Sequence, residues 1–267
     1  MSPRNAILIT GAASGIGLET ARLFAQRDWL VGLFDVNEKR LAEITAELGE
    51  ERACWRRLDV SSYEDCRAAV DFFATKSGGR LDVLFNCAGV MCMGLFDAVP
   101  IEEHAKTVAV NFLGVVYSTY AALDLLKKTP GARVISMCSA SAFYGVPELA
   151  VYSASKFAVR GFTEALNLEL ERYGIWVTDL IPPYVNTPMI SGQTYQAGTV
   201  KTLGAKVTSA EIAGLVWQAA HGRKVHWVHT TLLKLLTVAS RLLPFLQRPT
   251  MRYLSRLPRA GERKSIS

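Results

Sequence analysis

Thr10-Gly11-Ala12-Ala13-Ser14-Gly15-Ile16-Gly17 follows the apolar run Ala6–Ile9 and leads into the amphipathic stretch Ile16–Arg27. Glycines between a strand and a helix serve a tight turn, close approach of backbone to a pyrophosphate, and close packing of helix on strand. The free N–H groups and positive dipole end of the helix favour phosphate charge. The spacing is GxxxGxG, which alone also suits a purely structural bend, so its surroundings decide its meaning. Asp35 ends the second apolar run, in Leu33-Phe34-Asp35-Val36. A carboxylate there accepts both hydroxyls of an adenosine ribose and repels a 2′-phosphate. Ser14, not a cation, occupies the turn, and Lys39 and Arg40 fall on a helical face expected to be solvated. NAD is therefore expected over NADP, held by Gly11, Ser14, Gly15, Ile16, Gly17 and Asp35. Asp59-Val60, after the third apolar run, is placed beside the adenine, with an ordinary strand-end turn as the alternative.

Outward from this turn the chain alternates. Ala6–Ile9, Leu30–Phe34, Ala53–Leu58, Val83–Phe85, Val134–Ser136, Val177–Ile181 and Val225–Val228 read as strands. Ile16–Arg27, Glu38–Leu48, Tyr63–Thr75 and Ser209–His221 read as helices, with Ser61 or Ser62 and Thr208 or Ser209 as N-caps. Strands apolar throughout and alternating with helices predict a parallel sheet covered on both faces. The predicted fold is α/β, a doubly wound parallel sheet in one domain over residues 1–229, with ligand at the carboxyl ends of the strands.

Composition narrows the function. With 267 residues, 50% hydrophobic and 20% charged, the chain is neither disordered, collagen-like nor a disulfide scaffold. Residues 1–221 carry 20 Lys/Arg against 23 Asp/Glu, whereas residues 222–267 carry 10 Lys/Arg against Glu262 alone. The net charge of +6 thus belongs to a tail, and a body without a basic face predicts no nucleic-acid partner. The five cysteines (Cys54, Cys66, Cys87, Cys92, Cys138) form no CxxC and show no metal-ligand spacing. His226 and His229, three apart on a strand, point to opposite faces, so no metal is expected there either. Reduced thiols and a short apolar N-terminal run predict a cytoplasmic protein.

Tyr152-Ser153-Ala154-Ser155-Lys156 puts a phenol and an ammonium one helical turn apart, and Ser139 lies thirteen positions upstream. A phenol titrates near ~10, too high for a base at neutral pH, and a neighbouring cation favours the phenolate. A hydroxyl leaving the fifth strand can hold a substrate oxygen. With Thr10–Gly17, Asp59-Val60, Asn86-Cys87-Ala88-Gly89, Asn111 and Pro182 through Thr187, these pieces resemble the short-chain dehydrogenase/reductase family over nearly all of residues 5–229.

The resemblance implies a seven-stranded Rossmann-like sheet and hydride transfer to or from a nicotinamide. It makes Tyr152 the acid/base, Ser139 the substrate-orienting hydroxyl, and Lys156 the ribose ligand that lowers the Tyr152 pKa. Asn111 would hold a water that carries the proton out. Asn86, Ala88 and Gly89 would line the adenosine side, and Pro182, Val185 and Thr187 the nicotinamide side. It also implies a homodimer or homotetramer through the helices near Asn111 and Tyr152. Two departures stand out: Cys87 where the family usually has Asn, and Pro183 where it usually has Gly, which removes an N–H and fixes φ.

The positions expected to flank the substrate are Met91, Met93, Phe96, Ser141, Ala142, Phe143, Val146, Pro183, Met189 and Tyr195, the alternative for several being core packing. They are largely apolar and offer no Arg or Lys to an anionic group, so the expected substrate is a small lipophilic alcohol or ketone of steroid, retinoid or fatty-alcohol type, in lipid metabolism. Residues 190–207 read as a lid. An NADPH-dependent carbonyl or 3-oxoacyl reductase, and a non-catalytic NAD-sensing protein, are the competing readings.

The tail, residues 230–267, keeps Leu232, Leu235, Leu236, Ala239, Leu242, Leu243 and Leu246 on one helical side, with Lys234, Thr237 and Arg241 on another. Arg248, Arg252, Arg256 and Arg259 prolong the basic side. Lys234, Arg241 and Pro244 interrupt any apolar run of ~18 residues, so a membrane span is not expected. Peripheral contact with anionic lipid fits this pattern; docking on the chain's own body or on another subunit is the alternative.

Overall fold

β1 (Ala6–Thr10) is buried along its whole length and lies between two parallel neighbours, with Ile7 opposite both Val31 and Val83. A strand with no solvent-facing side is the physical meaning of its uninterrupted apolar run. The structure, a computed structural model, describes residues 4–256. Arg259 and the side chains of Leu236, Thr237, Ala239 and Arg241 lie outside the described set.

The remaining strands are β2 (Leu30–Asp35), β3 (Ala53–Arg57), β4 (Val83–Asn86), β5 (Arg133–Met137), β6 (Trp176–Ile181), the short β7 (Val185–Asn186) and β8 (Val207–Thr208), and β9 (His226–Val228). The helices are α1 (Gly15–Gln26), α2 (Glu38–Leu48), α3 (Tyr63–Ser77), α4 (Ile101–Val108), α5 (Gly114–Lys128), α6 (Ala150–Glu171), α7 (Pro188–Ser191), α8 (Gly198–Leu203), α9 (Ser209–His221), α10 (Thr231–Leu242) and α11 (Gln247–Ser255). Seven parallel strands form one sheet in the order β3-β2-β1-β4-β5-β6-β9. The predicted doubly wound Rossmann-like sheet is thus present. Its strand order reverses between β1 and β4, which opens a crevice at their carboxyl ends.

One face of the sheet is covered by α1, α2 and α9 through Phe24, Leu41, Ile44, Ile212 and Val216; the other by α3, α5 and α6 through Phe73, Leu126 and Leu170. Phe24 and Phe73 are fully buried, and truncating either to Ala would cost roughly 3–5 kcal/mol. Gly32 in β2 has no side chain because Phe73 sits where one would be, 2.6 Å from an added Cβ. Ser62 caps α3, and Thr208 and Glu211 form a reciprocal capping box on α9, so one of each predicted pair of caps is used.

Residues 101–128 run as one helix interrupted by a π-type turn at Ala109–Leu113. By length and apolarity it is the one described helix able to cross a bilayer, but its inner side packs on α3 and α6. After β6 the chain makes the two-residue pairing of β7 with β8, which brackets the predicted lid. Between β7 and β8 lie two short helices, α7 and α8.

Candidate active site

Gly11 leaves β1 with φ +71°, and a Cβ on it would lie 2.7 Å from the Cα of Ala88. A Cβ on Gly17 would lie 2.1 Å from the Gly11 carbonyl oxygen, so α1 starts against the turn only because both positions are glycine. Thr10 fixes the neighbouring strand end: its Oγ1 accepts the N–H groups of Cys87 and Ala88, each at 3.1 Å. Ser14 precedes α1 in extended conformation and its side chain caps nothing, leaving the helix N-terminus open to an anion.

Asp35 braces this turn. Its Oδ2 accepts the Ala13 N–H at 3.1 Å and its Oδ1 accepts the Asn37 N–H at 3.1 Å. Each oxygen keeps lone pairs for ribose hydroxyls. Asp59 is held below the usual carboxylate range, chiefly by the Ser61 hydroxyl, which donates to it at 2.6 Å. Val60 packs where a Cβ on Gly114 would stand, 2.7 Å away, which lets α5 approach the β3–α3 connection.

Ser139 exits β5 in extended conformation, and its Oγ accepts the Ser141 N–H at 3.2 Å and lies beside the Tyr152 phenol. Tyr152 and Lys156 stand one turn apart on α6. Lys156 Nζ is buried, donates to the Met137 carbonyl at 2.8 Å, and lies 5.6 Å from the centroid of the Tyr152 ring. Burial pushes the phenol above its ordinary value, opposed by the Ser139 hydroxyl, and pushes the Lys156 ammonium below its own. In this arrangement desolvation dominates at the phenol, and the Lys156 ammonium is turned to a main-chain carbonyl. Cys87 and Cys138 share this floor, and burial raises both thiols to about 12, so neither is a thiolate.

A single cleft of about 1190 Å³ collects these groups. Gly11, Ser14, Gly15, Ile16, Asp35, Asp59, Val60, Ala88, Gly89, Ser139, Tyr152, Lys156, Pro182, Val185 and Thr187 all line it, as do Met91, Ser141, Phe143, Pro183 and Met189 on the apolar side. The wall at Pro182 is tied to the Ser139 turn by the Ala140 N–H, which donates to the Pro182 carbonyl at 3.0 Å. The glycine cradle, the open helix end and the Asp35 carboxylate fit a dinucleotide.

Several expected contacts lie elsewhere. Asn86 is buried under the floor, its Nδ2 donating to Thr119 Oγ1 at 3.0 Å while Oδ1 has no partner. Asn111, in the π-type turn, spends its whole amide on bracing: Oδ1 accepts the Val90 N–H at 2.8 Å, and Nδ2 donates to the Val90 carbonyl at 2.9 Å and to Ser155 Oγ at 3.2 Å. Gly17 packs helix on strand behind the turn rather than lining the cleft. Met93 lies beneath the wall, its Sδ accepting the Ala197 N–H at 3.4 Å. Phe96 stacks on His104 away from the site, Ala142 is fully buried in the core, and Tyr195 donates to Glu148.

Other residues joined the site without a sequence signal. Tyr184 lines the cleft and bonds Thr199 Oγ1 at 2.7 Å. Glu148, in the left-handed region at φ 65°, accepts from Tyr195 and from the Gly198 N–H at 2.7 Å, latching the segment before α8 beside α6. The tail supplies wall as well, through Leu233, Leu246, Met251 and Leu254. α11 packs on α8 so closely that a Cβ on Gly198 would meet the Ser255 carbonyl oxygen at 2.0 Å. Apart from the cleft, His226 donates or accepts at Asp179 Oδ1 (2.9 Å) and Glu164 Oε1 (3.1 Å).

Residues 5–197 match the short chain dehydrogenase family. The 11-beta-hydroxysteroid dehydrogenase 1A of Arabidopsis thaliana is 37% identical over 195 residues, covering 71% of this chain and 54% of that protein. The chain thus spans about half the length of that curated relative. Among solved structures, a short chain dehydrogenase/reductase from Burkholderia phymatum in complex with NAD superposes with TM-score 0.82 at 24% identity, covering 91% of this chain and 95% of that one. An alcohol dehydrogenase from the archaeon Thermococcus sibiricus, complexed with 5-hydroxy-NADP, superposes with TM-score 0.75 at 25% identity, covering 84% and 95%.

Proposed function

For a chain that belongs to the short chain dehydrogenase family, we propose hydride transfer between NAD and a hydroxyl or carbonyl group of a lipophilic substrate of steroid, retinoid or fatty-alcohol type. The observation that carries this reading is the convergence of Ser139, Tyr152 and Lys156 in the cleft that also holds the glycine cradle, with a wall of Met91, Phe143, Pro183 and Met189 beside them.

Bound NAD would accept or supply the hydride. Tyr152 exchanges the proton of the substrate oxygen, and Ser139, beside the phenol, orients that oxygen. Lys156 binds the nicotinamide ribose, for which its Nζ must leave or share the Met137 carbonyl. A proton-carrying water at Asn111 would have to use the main-chain carbonyl, since the side-chain amide is committed to Val90 and Ser155. π-type turns widen a helix at such sites.

Asp35 supports NAD as the cofactor, because a 2′-phosphate would bring negative charge beside its carboxylate. The test is an absorbance screen with NAD and NADP across steroids, retinoids, long-chain alcohols and short secondary alcohols. Turnover confined to small polar or phosphorylated alcohols would overturn the substrate class, and no turnover in either direction would overturn the enzyme reading.

A further inference from the structure

Among the described residues, Lys234 on α10 and Arg248, Arg252 and Arg256 along and just beyond α11 are exposed cations, and α10 turns apolar side chains to solvent. On α10, Leu232, Leu235, Val238 and Leu242 recur at spacings of three and four and form one stripe, each between 57% and 74% exposed. Phe245, in the turn that follows, is 70% exposed. Arg248, Arg252 and Arg256 recur every fourth position along and just beyond α11 and are exposed. No Asp or Glu occurs anywhere from Ile212 to Arg256, so these cations have no neighbouring acid along this stretch of chain. The other side of the same segment is built into the body: α11 packs on α8, and Leu233, Met251 and Leu254 are cleft wall. Leu232, Leu243 and Leu246 do both, lining the cleft while remaining exposed at its rim.

We propose that this segment seats the protein on the surface of an anionic lipid bilayer, with the leucine stripe in the acyl boundary and the arginines among the headgroups. The cleft rim then opens toward the lipid, and an apolar substrate reaches the site without crossing water. Seating rests on the tail alone; delivery of substrate rests also on the function proposed above. Charge selects this occupant over the others. A second copy would oppose the same positive stretch to itself, and a nucleic acid would meet the arginines but leave the leucine stripe in water.

The experiment is co-sedimentation of the full chain with phosphatidylcholine vesicles made with and without phosphatidylglycerol, at low and high salt. Two variants accompany it, Arg248→Gln/Arg252→Gln/Arg256→Gln and Leu235→Ser/Leu242→Ser, with folding of each checked by its thermal melt. The wild type is expected to sediment only with phosphatidylglycerol vesicles and to dissociate at high salt. At about fivefold per arginine, the triple variant should bind roughly a hundredfold more weakly. Equal partition onto both vesicle types, or no sedimentation at all, overturns the seating. So does a fall in subunit number for the Leu235→Ser/Leu242→Ser variant by sedimentation velocity, which assigns the stripe to a second copy. For delivery, the triple variant should raise KM for a vesicle-borne long-chain alcohol and leave turnover of a water-soluble alcohol unchanged. Lost vesicle binding with unchanged KM on both overturns delivery. Absence of turnover on any alcohol overturns the enzymatic reading and leaves the sedimentation result standing.

Discussion

Replacing Asp35 with Asn removes one negative charge at nearly constant size, which makes it a sharp probe of cofactor choice. On the proposed reading the carboxylate accepts two ribose hydroxyls, and its two oxygens already hold the Ala13 and Asn37 N–H groups at 3.1 Å. Hydrogen bonds to a charged acceptor contribute about 1.5–3 kcal/mol each, so losing one of them should weaken NADH by roughly 10-fold to 150-fold. For NADPH the change includes a gain. A 2′-phosphate about 4 Å from the carboxylate is repelled by about 1 kcal/mol in bulk water and about 4 kcal/mol at an effective dielectric constant near 20. The variant also turns an amide N–H toward one of the two backbone N–H groups, which loosens the glycine turn for both cofactors alike. The ratio of the two affinities cancels that shared loss. Fluorescence titration of NADH and NADPH on wild type and variant should therefore move the ratio toward NADPH by at least about fiftyfold. An equal loss for both cofactors would reduce Asp35 to a brace of the turn and refute the argument.

Three further outcomes follow from the geometry. Gly11→Ala puts a Cβ 2.7 Å from the Ala88 Cα at a left-handed φ, so it should lower stability by roughly 1–3 kcal/mol in urea unfolding and abolish NADH binding; a fully stable variant that binds NADH would show that the strands can part. Glu148→Gln weakens the latch to Tyr195 and Gly198 and should raise KM for bulky alcohols more than for short ones, and an equal change for both would refute the latch. The bonds to Asp179 and Glu164 raise the His226 pKa, so its contribution to stability is complete below the unfolded value of ~6.5 and fades as pH rises through the folded value. His226→Gln should accordingly cost most stability at acidic pH, with the difference from wild type shrinking above neutrality; a constant difference across that range would count against it.

What the sequence disclosed was whatever forces a pattern on neighbouring residues. A strand buried on both faces must be apolar throughout, so Ala6–Ile9 and its parallel partners were legible, as were caps that need a hydroxyl, such as Ser62 and Thr208. The glycine turn was legible because no other residue fits at Gly11 or Gly17. Burial of polar groups was not. Asn86 and Asn111 have the same spelling whether an amide meets a cofactor or braces its own chain, and here Asn86 donates to the Thr119 hydroxyl and Asn111 to the Val90 carbonyl. Met91 and Met93 differ by two positions in an irregular segment, where no periodicity says which one reaches the wall. Nor does composition tell how deeply the Tyr152 phenol is buried, which raises its pKa. The tail's spacing marked an apolar side but not its partner; α11 lies on α8 while the stripe of α10 remains outside.

The most direct test of the account is Tyr152→Phe, assayed with NAD on the alcohol that the wild type turns over best. Removing the phenolic oxygen takes away the proton-exchanging group while the ring that packs beside Lys156 stays. NADH affinity should stay within about twofold, and kcat should fall by roughly 10²–10⁴-fold. Turnover within a few-fold of wild type, with NADH still bound, would contradict the assignment of Tyr152 as the acid/base.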